Sequence, residues 1–204
     1  MVRAVYPGQF DPLFPMTMKA HGALIPRGIT LHYTADDNVQ RVVEESGNDG
    51  IGYHIIIDRQ GRIIQTQRFD LAVWHAGKAT WRGRSPNREH IAIALMSWGE
   101  LKREGPAVFK SWNGTPTPEV VRRKSNISDE LSYWHAATSL QELALLTIVR
   151  WCVAEFALNP LDICDHSECA LPKGRKVDIG GVISWSMPEF RQLILDPNSG
   201  GITK

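Results

Sequence analysis

Two histidines and an aspartate stand out as a set that could do chemistry. His32 comes near the end of the apolar run GITLHYTA (28–35), while His166 and Asp178 belong to HSECALPKGRKVDIGG (166–181). A side chain at a strand end is delivered to a sheet edge on a rigid backbone, which suits a metal ligand. Two imidazoles and a carboxylate are three protein ligands. With an open fourth position that is the arrangement of a catalytic zinc, where a bound water becomes a nucleophile near neutral pH. Spacing alone does not establish it. His32 lies 134 residues from His166, and His21, His54, His75, His90 and His135 compete. A polar, Gly-flanked surface loop is the plainer account of 166–181, and Lys176 is on the same terms a solvated lysine. Cys164 and Cys169 flank His166 and read either as thiols near a metal or as buried, inert cysteines.

The elements that must position these groups follow from the hydrophobic pattern. GITLHYTA reads as a short strand, and DDNVQRVVEES (36–46) as a helix with Val39, Val42 and Val43 on one side. In IGYHIIIDRQGRIIQT (51–66) two β-branched runs flank DRQG, which predicts a hairpin. HIAIALMSW (90–98) predicts a central strand. SLQELALLTIVRWCVAEFAL (139–158) is the clearest helix, with Ser139 and Glu142 at capping-box spacing and Leu140, Leu143, Ile148, Trp151 and Phe156 giving it apolar surface on more than one side. A last helix, SMPEFRQLIL, has Ser186 as its cap and Pro188 in the first turn. The expectation is one α/β domain: a Pro- and Gly-rich arm over 1–27, a mixed central sheet with packed helices over 28–195, and a tail over 196–204. Within it, 99–132 breaks the pattern and is too long for an ordinary connection, so it reads as a functional lid or a mobile insertion.

Composition excludes several classes. At 204 residues the chain suits one domain with a full core, and 43% hydrophobic with 22% charged residues is a globular balance. A formal charge of +1 argues against nucleic acid as a partner. The sequence has no run of eighteen apolar residues, so no membrane span is expected, and Pro7, Asp11, Pro12 and Pro15 interrupt the N-terminus where a secretory signal needs an apolar core. The chain is therefore expected to be cytoplasmic at synthesis. Three cysteines suggest no disulfide framework.

The order LHYTA, GYHIIIDRQGRI, VWHAGKATWRGR, HIAIAL, HSECALPKGRKVDIGG resembles that of the zinc-dependent N-acetylmuramoyl-L-alanine amidases, the group that includes peptidoglycan recognition proteins, phage lysozyme-type amidases and cytosolic anhydro-muropeptide amidases. The resemblance covers roughly residues 28 to 195. It implies a peptidoglycan-recognition-protein-like fold, Zn2+ held by His32, His166 and Asp178, and hydrolysis of the amide between N-acetylmuramic acid and L-alanine. The third ligand is a carboxylate in some members and a thiolate in others. Lys176 matches a lysine placed to stabilise the oxyanion, and Tyr53 a tyrosine that orients water. In VWHAGKATWRGR, Trp74 and Trp81 offer flat faces for sugar rings and Arg84 a reach to a stem-peptide carboxylate, with core packing an equal account of Trp74. His75 and His54 read as substrate contacts, supports of the ligands, or structural residues.

One position departs from the resemblance. Cytosolic and periplasmic members carry a glutamate in the strand I-G-I-E-L as general base, and Ala94 stands there in IAIAL. An alanine takes no proton from water. The phage-type and recognition-protein branch lacks that glutamate too and has the tyrosine of GYH. Two alternatives to an active amidase follow: a peptidoglycan-binding module without turnover, or a protein-interaction role with a structural zinc and 99–132 as the docking segment. The implied partner is peptidoglycan or a muropeptide, with action at the cell wall or periplasm, and an immunity or delivery protein if the chain is a toxin. The opening RAVYPGQFDP resembles the first strand of adenylyl-transferring nucleotidyltransferases, but LFPMTMKAHG after it lacks their His-containing phosphate motif.

Overall fold

The computed structural model describes residues 6–7, 19–125 and 127–196, the side chain of Asn48 excepted. Most of the expected 1–27 arm, the nucleotidyltransferase-like opening and the tail beyond Asp196 lie outside the described residues. In chain order the elements are β1 (Gly28–Tyr33), α1 (Val39–Asp49), β2 (Ile55–Ile57), β3 (Ile63–Gln65), α2 (Pro86–Glu89), β4 (His90–Leu95), β5 (Glu100–Arg103), β6 (Phe109–Lys110), β7 (Val120–Ser125), β8 (Ser128–His135), α3 (Ser139–Glu155), β9 (Ile163–Asp165), α4 (His166–Cys169) and α5 (Met187–Leu195).

The main sheet has the order β3-β2-β4-β1-β9. β4 runs parallel to both β1 and β2, β9 runs parallel to β1, and only β3 is antiparallel, closing a hairpin with β2. β4 is buried along its whole length, as expected of a parallel strand covered on both faces, and that is why HIAIAL is apolar at every position but its first. Alternation then divides the sheet. Ile29, Leu31, Ile55, Ile57, Ile91 and Ile93 join Leu145, Ile148, Val149 and Phe190 from α3 and α5 in the larger core. Ile56 and Ala92 face the other way, against Val42 of α1, Val73 and Met96. His32, next to Leu31, falls on this second face, beside Ala94 in the register.

Helix α3 begins one residue earlier than its pattern suggests. Thr138, not Ser139, is the cap, closing a capping box with Gln141, and Glu142 instead accepts from Ser184 N at 2.6 Å. Leu140 and Leu143 are exposed rather than buried. The buried face includes Gln141, whose Nε2 donates to the carbonyls of Ile57 (3.1 Å) and Met96 (3.0 Å) at the end of the sheet.

Residues 99–132 supply β5, β6, β7 and part of β8, an antiparallel sheet of order β6-β5-β8-β7. The hydrophobic pattern misses it because these strands bury little; Leu101 and Trp134 are their fully covered apolar residues. Trp134 ties this sheet to the loop that follows Asp178. Its ring lies against Gly180 and Gly181, where an added Cβ would come within 2.6 and 2.4 Å of it. Arg123 Nη1 reaches the Gly181 carbonyl at 3.2 Å, and Trp134 Nε1 donates to Arg123 O at 3.1 Å.

Replacing Gly181 by alanine should therefore lower stability by about 1–3 kcal/mol through overpacking. Chemical denaturation of the variant beside the parent measures this, and an unchanged midpoint would show that the Trp134 contact has slack.

Candidate metal centre

His32, His166 and Asp178 come together. One ligand atom from each lies within 4.8 Å of the others, and all three residues are buried. Three pieces of chain deliver them: the end of β1, the first turn of α4 directly after β9, and the 175–178 loop, which Ser167 N anchors by donating to Asp178 O at 2.7 Å. Asp178 Oδ2 sits between His32 Nδ1 (3.0 Å) and His166 Nδ1 (2.9 Å).

Hydrogen bonds on the far side of each ring decide which nitrogen carries the proton. His166 Nε2 is 3.0 Å from the Ala76 carbonyl, which only accepts, so Nε2 holds the hydrogen. For His32 the argument runs through a third ring. His75 Nε2 is 3.1 Å from the Pro86 carbonyl and must donate. In neutral His75 that leaves Nδ1 as acceptor, 2.9 Å from His32 Nε2, which donates in turn. In the neutral rings both Nδ1 lone pairs thus face a carboxylate oxygen. Three acceptors that close repel unless a cation lies among them.

The charge state of His32 agrees with a cation site. Burial holds His32 down to about 4, although the Asp178 contact opposes it, so the ring is neutral at pH 7. Two imidazole nitrogens and a carboxylate are a donor set that fits Zn2+.

The set faces a cleft of about 800 Å³. Tyr53 lines it, its ring centroid 5.4 Å from that of His32. Burial, with Asp178 nearby, pushes the phenol pKa up, so the hydroxyl keeps its proton and acts as a donor. Lys176 lines the cleft and is exposed. Trp74 is at the edge, half-exposed, stacked on His21 at 4.5 Å and bridged to Ile51.

Other sequence-predicted residues go elsewhere. His75 lines the cleft but holds His32. His54 is fully buried, spanning Leu71 O and Ala92 N at 2.9 Å each, and is a core residue. Arg84 is engaged by the buried Asp162 at 2.7 Å, and the Trp81 indole donates to Leu161 O at 3.2 Å beneath Arg191. Neither of these, nor His54, is among the residues that line the cleft. Cys164 and Cys169 are buried away from the cleft, and burial pushes the Cys164 thiol well up. Two residues went unnoticed in the sequence. Asn87 Oδ1 accepts from the backbone of His75 (3.0 Å) and Ala76 (2.8 Å), fixing the loop that supplies both supports. Arg175 Nη2 clamps the carbonyls of Ala76 (2.9 Å) and Lys78 (3.1 Å).

Known proteins resemble this chain over most of its length. The family profile described as N-acetylmuramoyl-L-alanine amidase matches residues 22–181. The 1,6-anhydro-N-acetylmuramyl-L-alanine amidase AmpD of Salmonella typhimurium is 26% identical over 162 residues, which are 79% of this chain and 66% of that protein. The chain thus spans just under two thirds of that relative's length. Among solved structures, Escherichia coli AmiD in complex with anhydro-N-acetylmuramic acid-L-Ala-D-gamma-Glu-L-Lys superposes with a TM-score of 0.60 at 21% identity, covering 85% of this chain and 60% of that one. The endolysin amidase LysCS of Clostridium intestinale gives 0.59 at 16%, covering 94% and 98%. At those identities the structures share the fold.

Two outcomes follow. His75→Ala should weaken zinc binding about 10- to 100-fold, the range for outer-shell partners of a ligating histidine, and His166→Ala should weaken it further; competition against a chromophoric chelator reads both. Wild-type affinity in His75→Ala would remove the relay. Separately, burial holds His54 and His90 to about 4 against an ordinary 6.5. Below 6.5 the unfolded chain binds protons that the folded one refuses, so this stability is full above pH 6.5 and is lost as pH falls towards 4. Each should cost on the order of 1 kcal/mol or more across that window. Melting temperature against pH tests it, and a flat profile there contradicts it.

Proposed function

The chain belongs to the N-acetylmuramoyl-L-alanine amidase family, and from that premise we propose that it hydrolyses the amide joining N-acetylmuramic acid to L-alanine in peptidoglycan or muropeptides, with Zn2+ held by His32, His166 and Asp178. The observation that carries the reading is the convergence of two imidazole lone pairs and a carboxylate in a cleft. The substrate class is supported by relatives: the Salmonella protein is named for a muramyl-L-alanine amide, and E. coli AmiD was captured with an anhydro-muramoyl tripeptide. The site of action is then the cell wall, the periplasm or wherever released muropeptides collect.

Zinc, when bound there, supplies a Lewis acid for the scissile carbonyl and lowers the pKa of water. The chain's own groups do the rest. His32 and His166 are held in one tautomer by His75 and Ala76, so neither ring reorients during turnover. The Tyr53 hydroxyl, kept protonated, donates a hydrogen bond that orients the water or the carbonyl oxygen. The Lys176 ammonium at the cleft stabilises the charge that grows on that oxygen. Trp74 gives the muramoyl ring an apolar edge to rest on.

A second reading has one observation in its favour. Ala94 is fully buried and registers opposite His32, so the strand position beside the ligand carries a methyl where some relatives of the resemblance carry a carboxylate. On that reading the chain binds muropeptide without turning it over.

Release of free L-alanyl amino groups from purified N-acetylmuramoyl-L-Ala-D-γ-Glu-L-Lys separates the two. Activity lost to a chelator and restored by zinc is the expected result. A zinc-loaded protein that binds the muropeptide yet cleaves nothing across the pH range leaves only the binding module. Tyr53→Phe should keep its zinc and slow turnover about 10²-fold; unchanged turnover would take Tyr53 out of the mechanism.

A further inference from the structure

Trp112 is the most exposed large apolar side chain among the described residues, at 73%, and it is not loose. It sits on the tight turn that follows β6. Gly114 N donates to Ser111 O at 3.0 Å and Ser111 N to Thr115 O at 2.9 Å. Asn113 Oδ1 accepts from Ser111 Oγ at 2.5 Å and from Thr115 N at 3.1 Å. Gly114, at φ +87, takes the left-handed conformation the turn requires. The indole Nε1–H then crosses between sheets and donates to the Ala35 carbonyl at 2.9 Å. Ala35, with Tyr33 and Thr34, lines the same cleft as His32. The second sheet therefore pins an indole by its edge to the rim of the metal cleft and leaves the ring uncovered. Burial would favour covering so large an apolar surface; here a turn and a hydrogen bond hold it in place, so little ordering cost remains for a ligand that stacks on it.

Charge tells which ligand. The cationic side chains of the cleft, Arg175 and Lys176, belong to the loop that carries Asp178. That stretch suits the carboxylates of a stem peptide. The rim at residues 33–35 carries no cation. Next along it, Asp36 is taken up by Arg41 at 2.5 and 2.6 Å. A neutral rim beside a flat aromatic face suits a neutral pyranose, whose C–H face packs on an indole.

We infer that Trp112 is a saccharide platform that extends the cleft onto the second sheet. It stacks under the sugar that precedes the muramoyl residue in the glycan, so that the chain favours substrates with a disaccharide or longer glycan over single-sugar muropeptides. This rests on the amidase reading above and adds to it the side of the substrate that the second sheet selects.

The test compares two substrates that share one stem peptide, N-acetylmuramoyl-L-Ala-D-γ-Glu-L-Lys and the same molecule carrying the preceding N-acetylglucosamine, with the zinc-loaded full chain. The expected result is a KM about tenfold lower for the disaccharide, a ratio that Trp112→Ala brings close to one and Trp112→Phe restores only in part, because phenylalanine keeps a ring face but loses the N–H that pins it to the Ala35 carbonyl. Equal KM values in the parent, or a Trp112→Ala effect shared equally by both substrates, overturns the platform. If neither substrate is cleaved, the amidase reading fails on its own account. Calorimetric titration with the uncleaved disaccharide peptide then decides Trp112 separately: weaker binding to Trp112→Ala supports the platform, and equal Kd values overturn it.

Discussion

Mutual repulsion among three electron pairs is the constraint on which the rest of this structure depends. His32 Nδ1 and His166 Nδ1 approach one carboxylate oxygen of Asp178 to 3.0 and 2.9 Å inside a buried site. Each ring is denied the other tautomer by a partner that can only accept, directly at the Ala76 carbonyl and through His75 at the Pro86 carbonyl. Such a cluster is costly without a positive charge at its centre and stable with one. The supports are as much a part of the centre as the ligands, and Asn87 and Arg175, which fix the Ala76 loop from two sides, matter for that reason.

The fold serves that centre by dividing labour between the faces of one sheet. The face toward α3 and α5 is filled with isoleucine and leucine and supplies most of the core. The opposite face carries smaller residues near His32, with Ala92 and Ala94 on the neighbouring strand, and that economy leaves room for the site. The second sheet acts on the same place from outside. Trp134 backs the Gly180–Gly181 backbone just after Asp178, while Trp112 reaches the rim of the cleft at Ala35. The segment 99–132, which looks like an interruption in the amphipathic pattern, thus belongs to a sheet that touches the site's surroundings at two places.

How much of this was legible in the sequence depends on whether the information is local. The runs of β1, β2, β3 and β4 could be read because β-branched residues at period two, or packed continuously, have few other uses. The His32, His166 and Asp178 set was suggested by the order of its motifs, never by spacing, since the fold alone brings together residues as distant as His32 and Asp178. The relay was illegible because two of its members are backbone carbonyls, and a carbonyl has no sequence signature. Arg84 and Trp81 read as groove residues by type, and their partners, the buried Asp162 and the Leu161 carbonyl, could not be seen in the sequence. The α3 cap was displaced by one residue because Thr138 with Gln141 and Ser139 with Glu142 both satisfy the same spacing rule, and Glu142 is drawn off by Ser184. β5–β8 were missed because their strands keep both faces largely in water.

X-ray absorption at the zinc edge of the purified, zinc-loaded chain addresses the centre most directly. The account predicts one zinc per chain, with two imidazole nitrogens at about 2.0–2.1 Å, a carboxylate oxygen at a similar distance and no sulfur. Sulfur scattering at about 2.3 Å, which would bring Cys164 or Cys169 into the site, contradicts it. So does a spectrum that Asp178→Asn leaves unaltered.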